Sequence, residues 1–322
     1  MRKYNQLTLE QRYHTAALKK TGASLASISD EVGVHKSTLS RELRPNVGER
    51  GYYPKQAQDF SNKRRRAAEK HIKMTIPLKK QINEKLSEDW SPEQISGSLA
   101  KNDGISISHE SIYQHVLADK KSGGSLYKHL RHSGKKRKKR YGSHDRRGQI
   151  KNRIAIEERP KIVDKKTRLG DWEIDTVIGK NHKGALVTIV DRVSKFTVIA
   201  KVTSKQAEGV TKATIDLLSP HAAYLHTITA DNGKEFSGHE KIAEALKTKV
   251  YFAHPYSSWE RGLNENTNGL IRQYVPKGSS FDFVTNKTAR KIMNRLNNRP
   301  RKSLNYRTPN EFLIEKMGYM TG

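Results

Sequence analysis

The chain has no cysteine, which excludes disulfide bonds and thiolate metal sites. It also lacks any run of about 18 apolar residues, so no stretch reads as a membrane span. Its first residues, Met1-Arg2-Lys3-Tyr4-Asn5-Gln6, carry no apolar signal-peptide core. Acids are scarce: 33 Asp plus Glu stand against 62 Lys plus Arg, a net charge of +29 on 322 residues. An excess that large repels itself unless an anion compensates it, which makes nucleic acid the leading partner and a membrane surface the competitor. Hydrophobic residues still reach 34%, enough for a sizeable core, and the length suits two or three domains.

Residues 1–45 read as helical. Thr8 is a plausible cap, and Leu9, Tyr13, Ala16, Ala17 and Lys20 follow a helical repeat. Leu25, Ile28 and Val32 then form one apolar face, Gly33 permits a tight turn, and Ser37 is placed to cap a helix whose Leu39 and Leu43 pack back. This is the sequence form of a helix-turn-helix. Lys36, Ser37, Thr38 and Arg41 point outward with Arg44 just beyond, all within reach of phosphates or base edges. An ordinary helical hairpin gives the same pattern; the charge of the chain argues for DNA.

Residues 46–75, polar and basic, read as a solvated helix or linker. A second hairpin begins at Ser91-Pro92-Glu93-Gln94, with Ile95 and Leu99 inward and a turn at Asn102-Asp103-Gly104. Ser108 starts its second helix, with Ile112, Val116 and Leu117 inward and His109, Ser111 and Gln114 outward. Its exposed face has fewer bases than the first. From 131 to 153, eleven of 23 residues are Lys or Arg, which reads as a flexible linker able to lie along phosphates.

The remainder changes character. Strands are expected at 171–178, 184–191, 195–202, 226–230 and 249–253, with helices at about 206–218, 239–247, 258–274 and 287–298. Three strands, helix, strand, helix, strand, helix is the order of a ribonuclease H-like fold. Alternation puts Asp171, Glu173 and Asp175 on one face of the first strand, opposite Trp172 and Ile174. Asp231 follows the apolar strand Ile228–Ala230, and Asn232-Gly233 turns the chain there. Glu265 lies on the long helix, in a polar stripe of Arg261, Glu265, Asn268 and Arg272. Carboxylates from separate elements suit hard divalent cations, and two such ions activate the attacking oxygen and stabilise the leaving one in phosphodiester chemistry. Arg261 and Arg272 are candidates for phosphate contact. Each of these residues also has a plain reading as a solvated surface group.

Three segments carry a resemblance. They are Gly170-Asp171-Trp172-Glu173-Ile174-Asp175, Thr229-Ala230-Asp231-Asn232-Gly233-Lys234-Glu235-Phe236, and Tyr256-Ser257-Ser258-Trp259-Glu260-Arg261-Gly262-Leu263-Asn264-Glu265-Asn266-Thr267-Asn268-Gly269-Leu270-Ile271-Arg272. With Tyr274-Val275-Pro276-Lys277-Gly278 and Leu304-Asn305-Tyr306-Arg307-Thr308-Pro309, the span 165–315 resembles the catalytic domain of DDE transposases of the insertion sequence 30 family. The first hairpin and Trp90-Ser91-Pro92-Glu93-Gln94-Ile95 fit as well. The resemblance implies that Asp175, Asp231 and Glu265 are the catalytic, metal-binding triad, and 33 residues between the last two is the family's usual spacing. It implies Mg²⁺ as cofactor (two ions, Mn²⁺ substituting) and double-stranded DNA as partner, both the element's terminal inverted repeats and the target. It further implies a homodimer or larger assembly on paired ends, and a cytoplasmic, nucleoid-associated bacterial protein. Ile174 stands where a Gly is often found.

The expected architecture is therefore multidomain. An all-α helix-turn-helix domain (1–50) and a second helical DNA-binding domain (51–130) are followed by a basic linker (131–160). An α/β ribonuclease H-like catalytic domain (161–322) completes the chain. Among other candidates, Glu173 is a possible supporting group, Asp191 a turn acid pairing with Arg192, Glu235 a structural acid and His254 a packing residue. The alternatives are a non-catalytic DNA-binding regulator, which loss of a triad acid would have favoured, and a retrovirus-like integrase. The latter typically carries a His/Cys zinc module, which a chain without Cys does not have.

Overall fold

The computed structural model describes residues 6–67, 74–131, 150–255 and 257–318. The chain divides into two compact units, residues 1–73 and 74–322. Among the described residues, no helix is long and apolar enough to cross a membrane. Most of the basic stretch read as a linker, 132–149, lies outside the described residues.

The first unit holds α1 (Leu9–Lys20), α2 (Leu25–Val32), α3 (Lys36–Leu43) and α4 (Pro54–Ala67). Thr8 and Gln11 close a reciprocal capping box on α1. Gly33 ends α2 in the left-handed region at φ 71°, where only glycine is free of strain. The apolar core is small: Leu7, Ile28, Val32 and Leu39.

Two expectations fail here for physical reasons. Leu9 and Tyr13 face solvent, and α1 turns Arg12 and Thr15 inward instead. Arg12 is buried and forks onto both oxygens of Glu42 at 2.7 and 3.0 Å, while also donating to the Leu7 carbonyl and to Gln58. That buried ion pair, joining positions 30 residues apart, sets the rotation of the helix. The cap of α3 is His35, whose Nδ1 accepts from the Ser37 backbone N at 3.2 Å, so Ser37 sits inside the first turn. Helix α4 packs on α1, which joins the 54–67 segment to the first unit rather than to the second hairpin.

The second unit opens with α5 (Ile76–Ser87), α6 (Pro92–Asn102) and α7 (His109–Lys121). Ser91 and Gln94 form the capping box on α6, and Ser108 caps α7. Leu78, Ile82, Leu86, Ile95, Leu99, Ile112 and Val116 make the core of these three helices. Leu117, expected inward, is exposed, because the buried stripe of α7 is set by Ile112 and Val116 at i, i+4 spacing.

The α/β part follows, with β1 (Ile154–Ala155), α8 (Ile162–Lys165), β2 (Asp171–Ile178), β3 (Ala185–Asp191), β4 (Thr197–Val202) and α9 (Ala207–Leu218). Next come β5 (Thr227–Ala230), α10 (His239–Leu246), β6 (Lys249–Phe252), α11 (Gly262–Ile271), α12 (Asn286–Asn297) and α13 (Pro309–Gly318). The sheet order is β1-β6-β5-β2-β3-β4. Strands β2, β3 and β4 form an antiparallel meander, and β5, β6 and β1 add on in parallel. This is a ribonuclease H-like arrangement. Trp172, Ile174, Val187 and Ile189 pack on one face with Val210 of α9 and Ile242 of α10. Val177, Leu186 and Ile199 pack on the other with Leu270 and Ile271 of α11 and Leu296 of α12.

Two further boundaries shift. Residues 150–160, read as linker, belong to this unit: Ile150 enters the core and β1 pairs with β6 at the sheet edge. The long helix expected at 258–274 is broken, a 3₁₀ turn at Ser258–Arg261 preceding α11. Gly170, at φ 91°, leaves no room for a side chain, since a Cβ there would lie 1.6 Å from the Tyr224 carbonyl oxygen; this close approach aligns β2 with β5.

Candidate active site

Strand alternation delivers the acids of β2 to the α11 face of the sheet. Asp171 is buried, gripped by Arg168 at 3.0 Å and by the Thr227 hydroxyl at 2.7 Å, so it ties β2 to β5. Glu173, also buried, accepts the backbone N–H of Asn264 at 3.0 Å and pairs with Arg192 at 3.2 Å. It thereby pins the first turn of α11, where a negative charge is favourable. Arg192 is thus the partner of Glu173 rather than of Asp191; Asp191 instead caps its own turn, accepting from Ser194, Val193 and Gly170.

Asp175 is partly exposed at the centre of this face. Its Oδ2 accepts from Asn268 Nδ2 at 2.9 Å, and its Oδ1 from the Thr176 backbone N–H at 2.8 Å. Asn268 is in turn held by the Thr188 hydroxyl at 2.9 Å, and Thr188 stands opposite Asp175 in the β2–β3 register. Asp231 leaves the end of β5 and folds back to accept the Gly233 N–H at 2.9 Å, as a short turn at a strand end allows.

Arg261 joins the two aspartates. Its Nη1 lies 3.7 Å from Asp175 Oδ2 and its Nη2 3.3 Å from Asp231 Oδ2, while Nη1 also donates to the Ile174 carbonyl. Burial raises the Asp175 carboxyl to about 6; the Arg261 charge pulls it down, and Asp231 pushes it up again. Two carboxylates from different strands therefore share one cation. Glu235 lies beside them, buried, taking the Thr176 hydroxyl at 3.0 Å and Lys205 at 2.6 Å. That is the structural task expected of it.

Glu265 lies in the first turn of α11, exposed, four residues from Arg261 and three from Asn268. Asn268, three residues on in the same helix, shares its face and donates to Asp175, whereas Arg261 precedes α11 in the 3₁₀ turn. Among the described residues, no three His, Asp or Glu side chains converge closely enough to form a metal cage. What exists is a carboxylate pair already sharing a cation, with all-oxygen donors of the kind hard divalent ions take, so the residues fit such an ion.

Arg272 departs from expectation. It is half-buried, and its guanidinium donates to the Ile178 carbonyl at 2.9 Å and more weakly to that of Val275. It fastens the end of α11 to β2 and does not project as a phosphate ligand. His254 is not a packing residue either: it is exposed, bonds Glu260 through Nδ1 at 2.8 Å and contacts Glu157, and the Glu260 bond raises its pKa. The polar stripe placed Asn268 beside Glu265 but gave no role for it; the structure makes it the donor that orients Asp175.

In the first unit, Lys36, Arg41 and Arg44 are exposed along and just past α3, while Ser37 and Thr38 are half-exposed. Leu39 is fully buried behind them.

Comparison with known proteins agrees with this division. An integrase core domain model matches residues 167–258, and a helix-turn-helix domain model matches 3–46. The chain is 47% identical over 308 residues to the transposase for insertion sequence element IS4351 of Bacteroides fragilis, covering 95% of this chain and 94% of that one. It is 33% identical over 331 residues to the IS1086 transposase of Cupriavidus metallidurans, covering 99% and 97%. It is 35% identical over 322 residues to transposase InsI of IS30A of Escherichia coli, covering 95% and 83%. A helix-turn-helix unit, an integrase-type core and full-length relatives of this kind lead to one statement: the chain belongs to the insertion sequence 30 family of transposases.

Proposed function

We propose that this transposase binds the terminal inverted repeats of its own element and carries out strand cleavage and transfer at Asp175, Asp231 and Glu265. Those acids hold divalent metal: two Mg²⁺ ions, with Mn²⁺ substituting. The observation that carries the reading is the single guanidinium shared by Asp175 and Asp231. Two carboxylates from separate strands face one positive charge, and the helix bearing Glu265 is tied to the first of them through Asn268. A bound divalent cation supplies charge neutralisation and Lewis acidity at a phosphodiester.

The residues of the chain do the rest. Asn268 and the Thr176 amide hold the Asp175 carboxylate in orientation, and Glu173 fixes the start of α11 so that Glu265 stays on the same face. Arg261 neutralises the aspartates and is within reach of an incoming phosphate, toward which its guanidinium can turn. In the first reaction water attacks the phosphorus at the element end and the 3′-oxygen leaves as a hydroxyl. In the second, that 3′-OH attacks a target phosphodiester and displaces the target's own 3′-oxygen. One site serves both, because the nucleophile changes while the acids do not.

Lys36, Ser37, Thr38, Arg41 and Arg44 are the proposed DNA contacts of α3, read in the major groove. Paired element ends call for a homodimer or larger assembly, and the substrate places the protein with the bacterial nucleoid in the cytoplasm. The test is cleavage of a duplex carrying the element's flanking sequence, with Mg²⁺ or with chelator, by wild-type and Asp231→Asn proteins. Metal-dependent cuts at a repeat edge that vanish in the variant are expected. Binding without cutting would favour a regulator, and equal cutting by the variant would assign the chemistry elsewhere.

A further inference from the structure

Of three tryptophans, two are buried: Trp90 is 9% exposed and Trp172 is 0% exposed. The third, Trp259, is 75% exposed. An indole left in water forgoes one of the largest gains from burial that a side chain offers. This one is held on a short, pinned turn. Trp259 belongs to the 3₁₀ turn Ser258–Arg261, and its carbonyl accepts the Gly262 N–H at the start of α11.

Both residues that follow it are fixed. Glu260 is clasped by His254, whose backbone N–H and Nδ1 each bond a carboxylate oxygen at 2.8 Å. Arg261 turns inward to Asp175 and Asp231. The backbone is thus anchored immediately beside the indole, while the indole itself stays outside. Two residues of chain separate the Trp259 and Arg261 Cα atoms by at most about 7 Å.

We infer that Trp259 is a stacking platform for a nucleobase next to the phosphate on which the acids act. The inference rests on the catalytic reading of Asp175, Asp231 and Glu265 for the position of that phosphate. A flat aromatic side chain presented in water two residues before the arginine that joins Asp175 and Asp231, on a chain of net charge +29, suits the face of a base. In an intact duplex that face is covered by the neighbouring pair. The ligand is therefore a base whose face is free, either at a strand terminus or turned out of the helix at the cut. An indole offers a π-face and one N–H donor, so the contact tolerates any base and positions the strand without reading its sequence.

The test uses full-length protein carrying Glu265→Gln, with chelator present, so that the DNA is bound and left uncut. The probe is a duplex ending at the edge of the flanking inverted repeat, with 2-aminopurine as its last base. Because Trp90 and Trp172 are buried, the quencher-accessible part of the tryptophan emission comes from Trp259. Adding the duplex is expected to shield that emission from iodide and to quench the 2-aminopurine.

Trp259→Ala should abolish the 2-aminopurine quench and weaken binding of the duplex end by at least about fivefold, the low end for an aromatic stack. Trp259→Phe should restore most of both. In the otherwise wild-type protein, Trp259→Ala should slow cleavage of a paired end more than of an end whose last base is already unpaired. Three results would overturn the inference: an indole already shielded before DNA is added, an emission that DNA leaves unchanged, or a Trp259→Ala protein that quenches the probe as well as its parent. Cutting by Asp231→Asn would instead overturn the catalytic reading, so the two failures are distinct.

Discussion

The two helical hairpins, α2–α3 and α6–α7, carry nearly the same local signals and sit in opposite surroundings. In the first, α2–α3, the outward residues Lys36, Arg41 and Arg44 are exposed, and the hairpin is closed from within by the Arg12–Glu42 pair. In the second, α6–α7, one side is committed to the catalytic part of its own unit. The Tyr306 ring lies over Gly97, where a Cβ would come within 2.1 Å of it, and Glu93 pairs with Lys302 at 2.7 Å. Asp89, just before α6, accepts the Tyr274 hydroxyl at 3.0 Å, bonds His129, and lies 3.7 and 3.8 Å from Arg299 and Arg295. Capping boxes and apolar spacing specify a hairpin; they do not say whether its outer face meets DNA or protein. Which face is spoken for depends on long-range partners.

The comparison breaks most visibly at Glu42. Glu42→Ala leaves the Arg12 guanidinium buried without its counter-ion, a loss of roughly 3–5 kcal/mol. All three tryptophans lie beyond residue 73, so tryptophan emission follows the second unit while far-ultraviolet circular dichroism follows both. The variant should lose helical signal early in urea while its tryptophan transition stays in place; coincident early transitions would count against an independent first unit. The docked hairpin answers at Asp89. Asp89→Ala should lower the stability of the second unit by about 1–3 kcal/mol, since it strips acceptors from the buried Arg299 and from Tyr274. A urea midpoint unchanged from wild type would mean that the docking contributes little.

Acid separates the two units in another way. The Asp175 carboxyl is raised to about 6 by burial, so it takes up a proton as the pH falls through that value and loses the charge that attracts a cation. Mn²⁺ affinity of the DNA-free protein should drop about tenfold per pH unit below 6 and level off above it. No such break near 6 would show that Asp175 does not hold the ion. The smallest effect concerns the outward faces. Arg41→Ala in α3 should reduce the salt slope of DNA binding by about one unit, as loss of one phosphate contact does. Gln114→Ala in α7, which removes no charge, should leave that slope alone. Similar changes from both would make the hairpins equal readers.

Much of the catalytic unit was legible in the sequence because its signals are local. The period-2 alternation of β2 placed Asp171, Glu173 and Asp175 on one face, and Asn232-Gly233 marked where the chain leaves β5 at Asp231. What stayed hidden depends on partners distant along the chain. The repeat of Leu9 and Tyr13 gave no sign that Arg12 turns inward, because its partner Glu42 lies 30 residues along the chain. Arg272 reads as a phosphate ligand until the Ile178 carbonyl, 94 residues away, is found to hold it. The break at Arg261 was hidden for the same reason: a guanidinium drawn in by Asp175 and Asp231 leaves the helical path that the polar stripe suggested. Residues 150–160 look like linker by composition, yet two residues of β1 and the side chain of Ile150 join them to the sheet.

The central claim is that Asp175, Asp231 and Glu265 form one metal-holding site, of which Asp175 and Asp231 share the Arg261 guanidinium. The direct measurement is Mn²⁺ binding, followed by electron paramagnetic resonance, to complexes of an element-end duplex with wild-type, Asp175→Asn, Asp231→Asn and Glu265→Gln proteins. The account predicts protein-dependent Mn²⁺ binding by the wild-type complex and loss of at least one bound ion in each variant, Glu265→Gln included. Wild-type Mn²⁺ binding retained by Glu265→Gln would contradict it.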